Sequence, residues 1–146
     1  MKTALLDVNL LIALVWPTHE HHDAAHVWFR SRGRARWATC PLTELAFVRI
    51  VSNPAFSRDA PDPAGALTLL LANLDAPGHE FWPADLSGGQ ALGEARIRLE
   101  GASQVTDAYL LALARARRGV LASFDEGIRR WAPPDLRPAL EAVPPR

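Results

Sequence analysis

The stretch Thr3-Ala4-Leu5-Leu6-Asp7-Val8-Asn9-Leu10-Leu11-Ile12-Ala13-Leu14 decides the reading of the fold. Its apolar run from Thr3 to Leu6 is short and stops at a carboxylate, the pattern of a buried strand that delivers its last residue to the edge of a sheet. From about Asn9 the apolar residues continue as a helix. Far along the chain, Val120-Leu121-Ala122-Ser123 repeats the arrangement and closes on Phe124 and Asp125, as the first run closes on Leu6 and Asp7. Two such strands running the same way in one sheet carry Asp7 and Asp125 to the same edge.

Outward from this pair, Pro17 to His22 reads as a turn, and Ala24, Ala25, Val27, Trp28 and Phe29 recur at helical spacing until Gly33 stops them. A strand over 36–39 precedes a helix begun by Pro41, whose fixed φ and missing N–H suit a first helical turn. Residues 52–63, rich in Pro, Asp, Asn and Ser, form a loop leading into a helix over 64–74. Phe81 and Trp82 mark a brief strand, and Ser87 and Gly88 introduce a helical segment ending near Gly101. The strongest helix spans 106–117, with Ala108, Leu110, Leu111, Leu113 and Ala114 covering most of its surface. Val120 to Ser123 then reads as the last strand. The Pro-rich end, residues 132–146, reads as a loosely packed tail after a single domain over residues 1–131. Strands alternating with helices predict an α/β domain of three layers, a central, mostly parallel sheet flanked by helices. Ligands of such sheets bind beyond the carboxyl ends of the strands.

Composition bounds the function. A chain of 146 residues fits one hydrophobic core, and 49% hydrophobic with 22% charged residues is the balance of a folded globular protein, not a disordered one. The formal net charge is +0, so a nucleic-acid partner finds no support in bulk electrostatics and function must be argued from local residues. No apolar run approaches the roughly 20 residues that span a bilayer. The early apolar stretch also lacks the basic start and cleavage site of a secretory signal. The chain is therefore expected in the cytoplasm, with no membrane association. The lone Cys40 cannot close an intramolecular disulfide or build a thiolate metal site; at the end of an apolar strand it reads as a buried core residue.

The acidic residues carry the chemistry. Glu44 lies in the first turn of the helix begun by Pro41, and Asp107 in the first turn of the helix after Ser103 and Gln104. Helices that follow strands begin at the edge where Asp7 and Asp125 end theirs. Each acid alone has another explanation, as a helix cap or a charge favoured by the helix dipole. Together, carboxylates drawn to one edge repel unless a cation neutralises them, and a set of carboxylate oxygens with room for water suits Mg²⁺ or Mn²⁺. Asn9 and Ser123, each two residues from a strand-end aspartate, are polar groups able to orient carboxylates or metal-bound water, though turn propensity explains them almost as well.

At these residues the chain resembles PIN-domain proteins, and among them VapC-type toxins of toxin–antitoxin pairs. The resemblance rests on Leu5 to Leu14, Thr43-Glu44-Leu45, Val105 to Ala112 and Leu121 to Asp125, in that order and spacing, together with Trp37-Ala38-Thr39-Cys40-Pro41-Leu42-Thr43-Glu44. It extends from Lys2 to about Trp131. It implies that Asp7, Glu44, Asp107 and Asp125 form an acidic metal site for Mg²⁺ or Mn²⁺, with Asn9 and Ser123 in support; Ser123 stands where many relatives carry threonine. The implied activity is an endoribonuclease that hydrolyses RNA phosphodiester bonds, leaving a 3′-hydroxyl and a 5′-phosphate. A cognate antitoxin protein is the implied partner beside the RNA substrate, and a second copy of the chain is held open as another. The alternatives are a PIN-like binding module without turnover and a metal nuclease acting on another nucleic acid.

Other signals weigh less. His19, His21, His22 and His26 imitate a metal cluster, but zinc wants four ligands at recognisable spacing and nothing completes this set. Arg30, Arg32, Arg34 and Arg36 span a helix end, a turn and a strand, which favours solvated charge over one RNA-binding face. Trp16, Trp28 and Phe29, with Leu10, Leu11 and Leu14, read mostly as core, with a groove for a partner helix as the other reading. The chain has no Gly-x-Ser-x-Gly elbow and no phosphate-cradling or dinucleotide glycine motif.

Overall fold

The computed structural model describes residues 1–93 and 99–146. Its centre is a five-stranded sheet in the order β3-β2-β1-β4-β5, built from β1 (Ala4–Leu6), β2 (Trp37–Thr39), β3 (His79–Phe81), β4 (Val120–Ser123) and β5 (Leu140–Ala142). All four pairings are parallel, with Leu5 opposite Ala38 on one side and Leu121 on the other. A strand between parallel neighbours has both faces covered, which is why β1 is apolar throughout and wholly buried.

Alternation along the strands divides the core into two layers. Ala4, Leu6, Trp37, Val120 and Ala122 face one cluster, with α1 (Val8–Val15), α2 (His22–Ser31), α3 (Pro41–Val51) and α4 (Pro63–Leu74) over them. Leu5, Ala38 and Leu121 face the other, against α6 (Val105–Ala116) and α7 (Ile128–Trp131). The three-layer α/β architecture and parallel sheet expected from the sequence are present.

Local chemistry sets the helix starts. Asp7 caps α1, its Oδ1 accepting from the Val8 N–H at 2.8 Å. Thr43 reaches back to the Cys40 N–H at 3.1 Å, and Pro41 occupies the first turn of α3. At α4, Asp62 accepts from the Gly65 N–H at 2.8 Å, so the helix begins one residue earlier than expected, at Pro63. Gly119, between α6 and β4, is held 2.6 Å from the Thr3 carbonyl and the Trp82 ring at the place a Cβ would occupy, so the close approach of β4 to β1 requires glycine there.

Three expectations are corrected, and a fourth lies largely outside the described residues. The brief strand lies at His79–Phe81, one residue after Gly78, with Trp82 just beyond it and buried. The helical segment after Ser87 is α5 (Gly88–Gly93); its expected continuation towards Gly101 falls largely on residues outside those described. β4 is not the last strand, and the Pro-rich end is not loose. β5 lies in it and pairs with β4, the Val143 N–H donates to the Ser123 carbonyl at 2.8 Å, and Leu136, Ala139, Leu140 and Val143 are buried. Glu141 accepts from the Trp28 indole at 2.6 Å and from the Arg32 guanidinium at 3.0 Å, while Arg32 also donates to the Lys2 carbonyl. Sheet pairing and a charged clamp thus tie the C-terminal residues to α2 and the N-terminus.

The histidine and arginine clusters resolve into structural roles. The ring N–H groups of His22 and His26 donate to the carbonyls of Ala13 and Leu14 at 2.7 and 2.8 Å, satisfying orphan acceptors at the end of α1. Arg32 is buried against Glu141 and Arg36 pairs with Glu80 at 2.6 Å, whereas Arg30 and Arg34 are exposed. Trp28 is buried rather than outward, and Trp16 packs edge-on against Phe56 at 5.1 Å. Trp28 thus belongs to the core, as expected, while Trp16 and Phe29 are half-buried.

Candidate active site

Because β1 and β4 are adjacent and parallel, their ends bring Asp7 and Asp125 to one edge. Asp7 continues the pairing, its N–H donating to the Ala122 carbonyl at 3.0 Å, and its buried carboxylate is held at both oxygens. Oδ1 accepts from Val8, and Oδ2 accepts from the Ser123 hydroxyl at 2.7 Å. The same hydroxyl oxygen accepts from the Asp125 N–H at 3.0 Å, and Asp125 Oδ1 accepts from the Gly127 N–H at 2.8 Å. A Cβ at residue 127 would lie 2.9 Å from that oxygen, so glycine leaves room for the turn that aims Asp125.

Asp107 comes to this pair on the first turn of α6. Burial pushes its carboxyl up to about 7, and the charges of Asp7 and Asp125 push in the same direction. The Asp7 carboxyl is also raised, chiefly by burial and slightly by Asp125, against the opposing hydrogen bonds from Ser123 and Val8. Three carboxylates therefore feel one another at the carboxyl edge of the sheet. Asn9 lines a small cleft of about 220 Å³ together with all three aspartates.

Glu44 is not gathered into this cluster. Its Oε2 accepts from the buried Thr39 hydroxyl at 2.6 Å, and the Thr39 oxygen stands 2.7 Å from His79 Nε2, an arrangement in which the imidazole N–H donates to Thr39. α3 itself reaches the aspartate cleft through Thr43, Ala46 and Arg49, but the Glu44 carboxylate is engaged by the Thr39 hydroxyl at the end of β2. No local motif in the sequence marks this clamp, because His79 lies 40 residues from Thr39.

The donor set tests well against a hard divalent cation. It consists of three carboxylates with a neighbouring amide and hydroxyl, and the charges of Asp7 and Asp125 add to burial in raising the Asp107 carboxyl. Among the described residues no three acidic, His or Cys side chains already close into a metal-holding group. An open cluster of this kind suits Mg²⁺, which keeps much of its water.

A parallel three-layer domain with an acidic cluster at the carboxyl edge of its sheet is the class that fold and site define together. The chain belongs to the PIN domain family, whose model matches residues 4–132. Among characterised proteins it is similar to ribonuclease VapC39 of Mycobacterium tuberculosis, 43% identical over 126 residues that cover 86% of this chain and 91% of the relative. Ribonuclease VapC38 of the same organism is 45% identical, with 86% of each chain covered. Among solved structures, VapBC2 from Rickettsia felis bound to a DNA fragment from its promoter shares the fold with a TM-score of 0.67 at 15% identity, covering 96% of this chain and 98% of that one. A toxin–antitoxin complex from Klebsiella pneumoniae superposes with a TM-score of 0.55 at 16% identity, covering 98% of each chain.

Proposed function

We propose that this chain is a divalent-metal-dependent endoribonuclease, the toxin of a toxin–antitoxin pair, which hydrolyses RNA phosphodiester bonds and is neutralised by a cognate antitoxin protein. The observation that carries the reading is the convergence of the Asp7, Asp107 and Asp125 carboxylates on one cleft at the carboxyl edge of the sheet. Its support in kind comes from relatives at 40–45% identity that are named ribonucleases.

Asp7, Asp107 and Asp125 would hold Mg²⁺ or Mn²⁺, with Glu44 as a further carboxylate at the same edge once released from Thr39. Bound by these residues, the ion would supply a water of lowered pKa and offset charge on the phosphoryl oxygens for hydrolysis to a 3′-hydroxyl and a 5′-phosphate. The chain's own residues prepare the site. Ser123 fixes the Asp7 carboxylate, the turn through Gly127 aims Asp125, and Asn9 offers an amide to the cleft where water and phosphate meet. No side-chain nucleophile takes part, and Cys40 is buried away from solvent.

The test is cleavage of a panel of RNA and DNA substrates by purified protein in Mg²⁺, in Mn²⁺ and in EDTA, beside co-expression with the neighbouring gene. RNA cleavage that disappears in EDTA, and growth arrest relieved by the neighbour's product, are expected. Cleavage unchanged in excess EDTA overturns the metal mechanism, and cutting of DNA alone overturns the substrate assignment.

A further inference from the structure

Two clefts meet at the aspartates, and the two together are longer than a metal site requires. The larger, of about 790 Å³, runs from Asp107 and Asp125 to Arg130 and Trp131 on α7, past Glu100, Ser103 and Gln104. The smaller, of about 220 Å³, starts from the same two aspartates and Asp7 and leads to Arg49 on α3, past Asn9 and Thr106. Asp107 and Asp125 belong to both, so the acids sit between one arginine and the other. Arg49 and Arg130 are exposed, and neither is bound to a carboxylate among the described residues. Several other arginines are committed, Arg32 to Glu141, Arg36 to Glu80 and Arg117 to Asp85.

A polyanion must be held across this edge by local cations, because the chain carries a net charge of +0 and three of its acids face the reacting linkage. Guanidinium groups suit that task, since their planar fork matches phosphate oxygens. Trp131 is half-buried, packs against the core layer that contains Leu5 and Leu121, and places an aromatic ring among the residues lining the larger cleft beside Arg130. Aromatic faces of this kind hold single-stranded bases without reading their sequence.

We infer that Arg49 and Arg130 bind the phosphates on opposite sides of the scissile linkage, and that Trp131 stacks on the base of the nucleotide lying in the larger cleft. The strand accordingly threads from α3 to α7 across the aspartates. This inference rests on the ribonuclease reading and adds the path of the strand to it. Arg34, on the cleft beside Pro77 and Gly78 ahead of β2 and β3, lies at the opposite edge of the sheet and is outside the path.

The experiment measures binding without turnover. In an Asp107→Asn background, the affinity for a fluorescein-labelled single-stranded oligoribonucleotide is followed by anisotropy over a range of salt in Mg²⁺. Each phosphate contact contributes about 0.7 to the slope of log Kd against log salt for a single strand, so Arg49→Gln and Arg130→Gln should each lower the slope by about 0.7. Arg34→Gln should leave it unchanged. Trp131→Leu keeps apolar packing but removes the ring; it should weaken binding about tenfold with the slope intact, and Trp131→Phe should restore it. A slope unaltered by Arg49→Gln or Arg130→Gln overturns the assignment of that arginine, and equal affinity in Trp131→Leu overturns the stacking role. If the parent chain cuts RNA while these variants bind like their background, the strand path alone is wrong. If the parent neither binds nor cuts RNA, the ribonuclease reading falls first.

Discussion

The Ser123 hydroxyl donates to Asp7 Oδ2 at 2.7 Å, joining residues 116 positions apart at the ends of adjacent parallel strands. Both are buried, so the bond sets the direction of the Asp7 carboxylate. Ser123→Ala leaves one oxygen of Asp7 without its partner, a loss of about 1–3 kcal/mol in stability. Cleavage should fall about tenfold or more, as for other groups that orient metal-binding carboxylates. Ser123→Thr restores the hydroxyl and should recover both. Urea denaturation with single-turnover cleavage checks this, and equal loss in the Thr and Ala variants would point to packing instead.

Burial, together with the charges of Asp7 and Asp125, disfavours the charged form of Asp107 in the folded chain. Asp107→Asn removes this repulsion with little change of shape. In EDTA the variant should therefore melt higher than the parent, while losing RNA cleavage in Mg²⁺. Added Mg²⁺ should raise the parent's Tm more than the variant's, because a ligand stabilises only in proportion to its affinity for the folded state. Thermal scans with and without Mg²⁺ measure both effects. A variant that cleaves like the parent would displace Asp107 from the site.

Glu80 carries a predictable acid dependence. Hydrogen bonds from the Arg36 guanidinium at 2.6 Å and the Trp82 indole at 2.8 Å hold its carboxyl below the usual carboxylate range. A depressed folded-state pKa contributes stability that is present above the unfolded value and lost as pH falls through the folded one. Glu80→Gln should thus be less stable than the parent at neutral pH, with the difference closing in acid. Urea midpoints at neutral and acid pH read this directly. A constant difference across pH would assign the effect to packing.

The clamp on β5 predicts a large local effect. Arg32 is buried and Glu141 is its charged partner, so Glu141→Ala leaves a guanidinium without compensation and should cost about 3 kcal/mol. Removing both charges, as Arg32→Met with Glu141→Leu, should recover much of that loss. Chemical denaturation of the single and double variants decides between a charge penalty and simple loss of strand contacts.

Local features legible in the chain itself became structure almost unaltered. Pro41 opens α3, Asp7 caps α1, and the alternating apolar residues of β1 and β4 divide between two helical layers, because caps, turns and periodicity depend on neighbours a few residues apart. That Asp7, Asp107 and Asp125 share an edge was equally readable, since parallel strands and the helices after them deliver their ends together. Tertiary structure alone decided the rest. β5 is three residues among prolines, too short for any period, and exists because β4 offers an unpaired edge and Arg32 a buried charge for Glu141. Glu44 turns to Thr39 and His79 instead of the aspartates, and Arg49 and Arg130 meet the acids from separate helices. These are contacts between side chains remote in sequence, whose partners are chosen by the packing of elements rather than by any pattern within them.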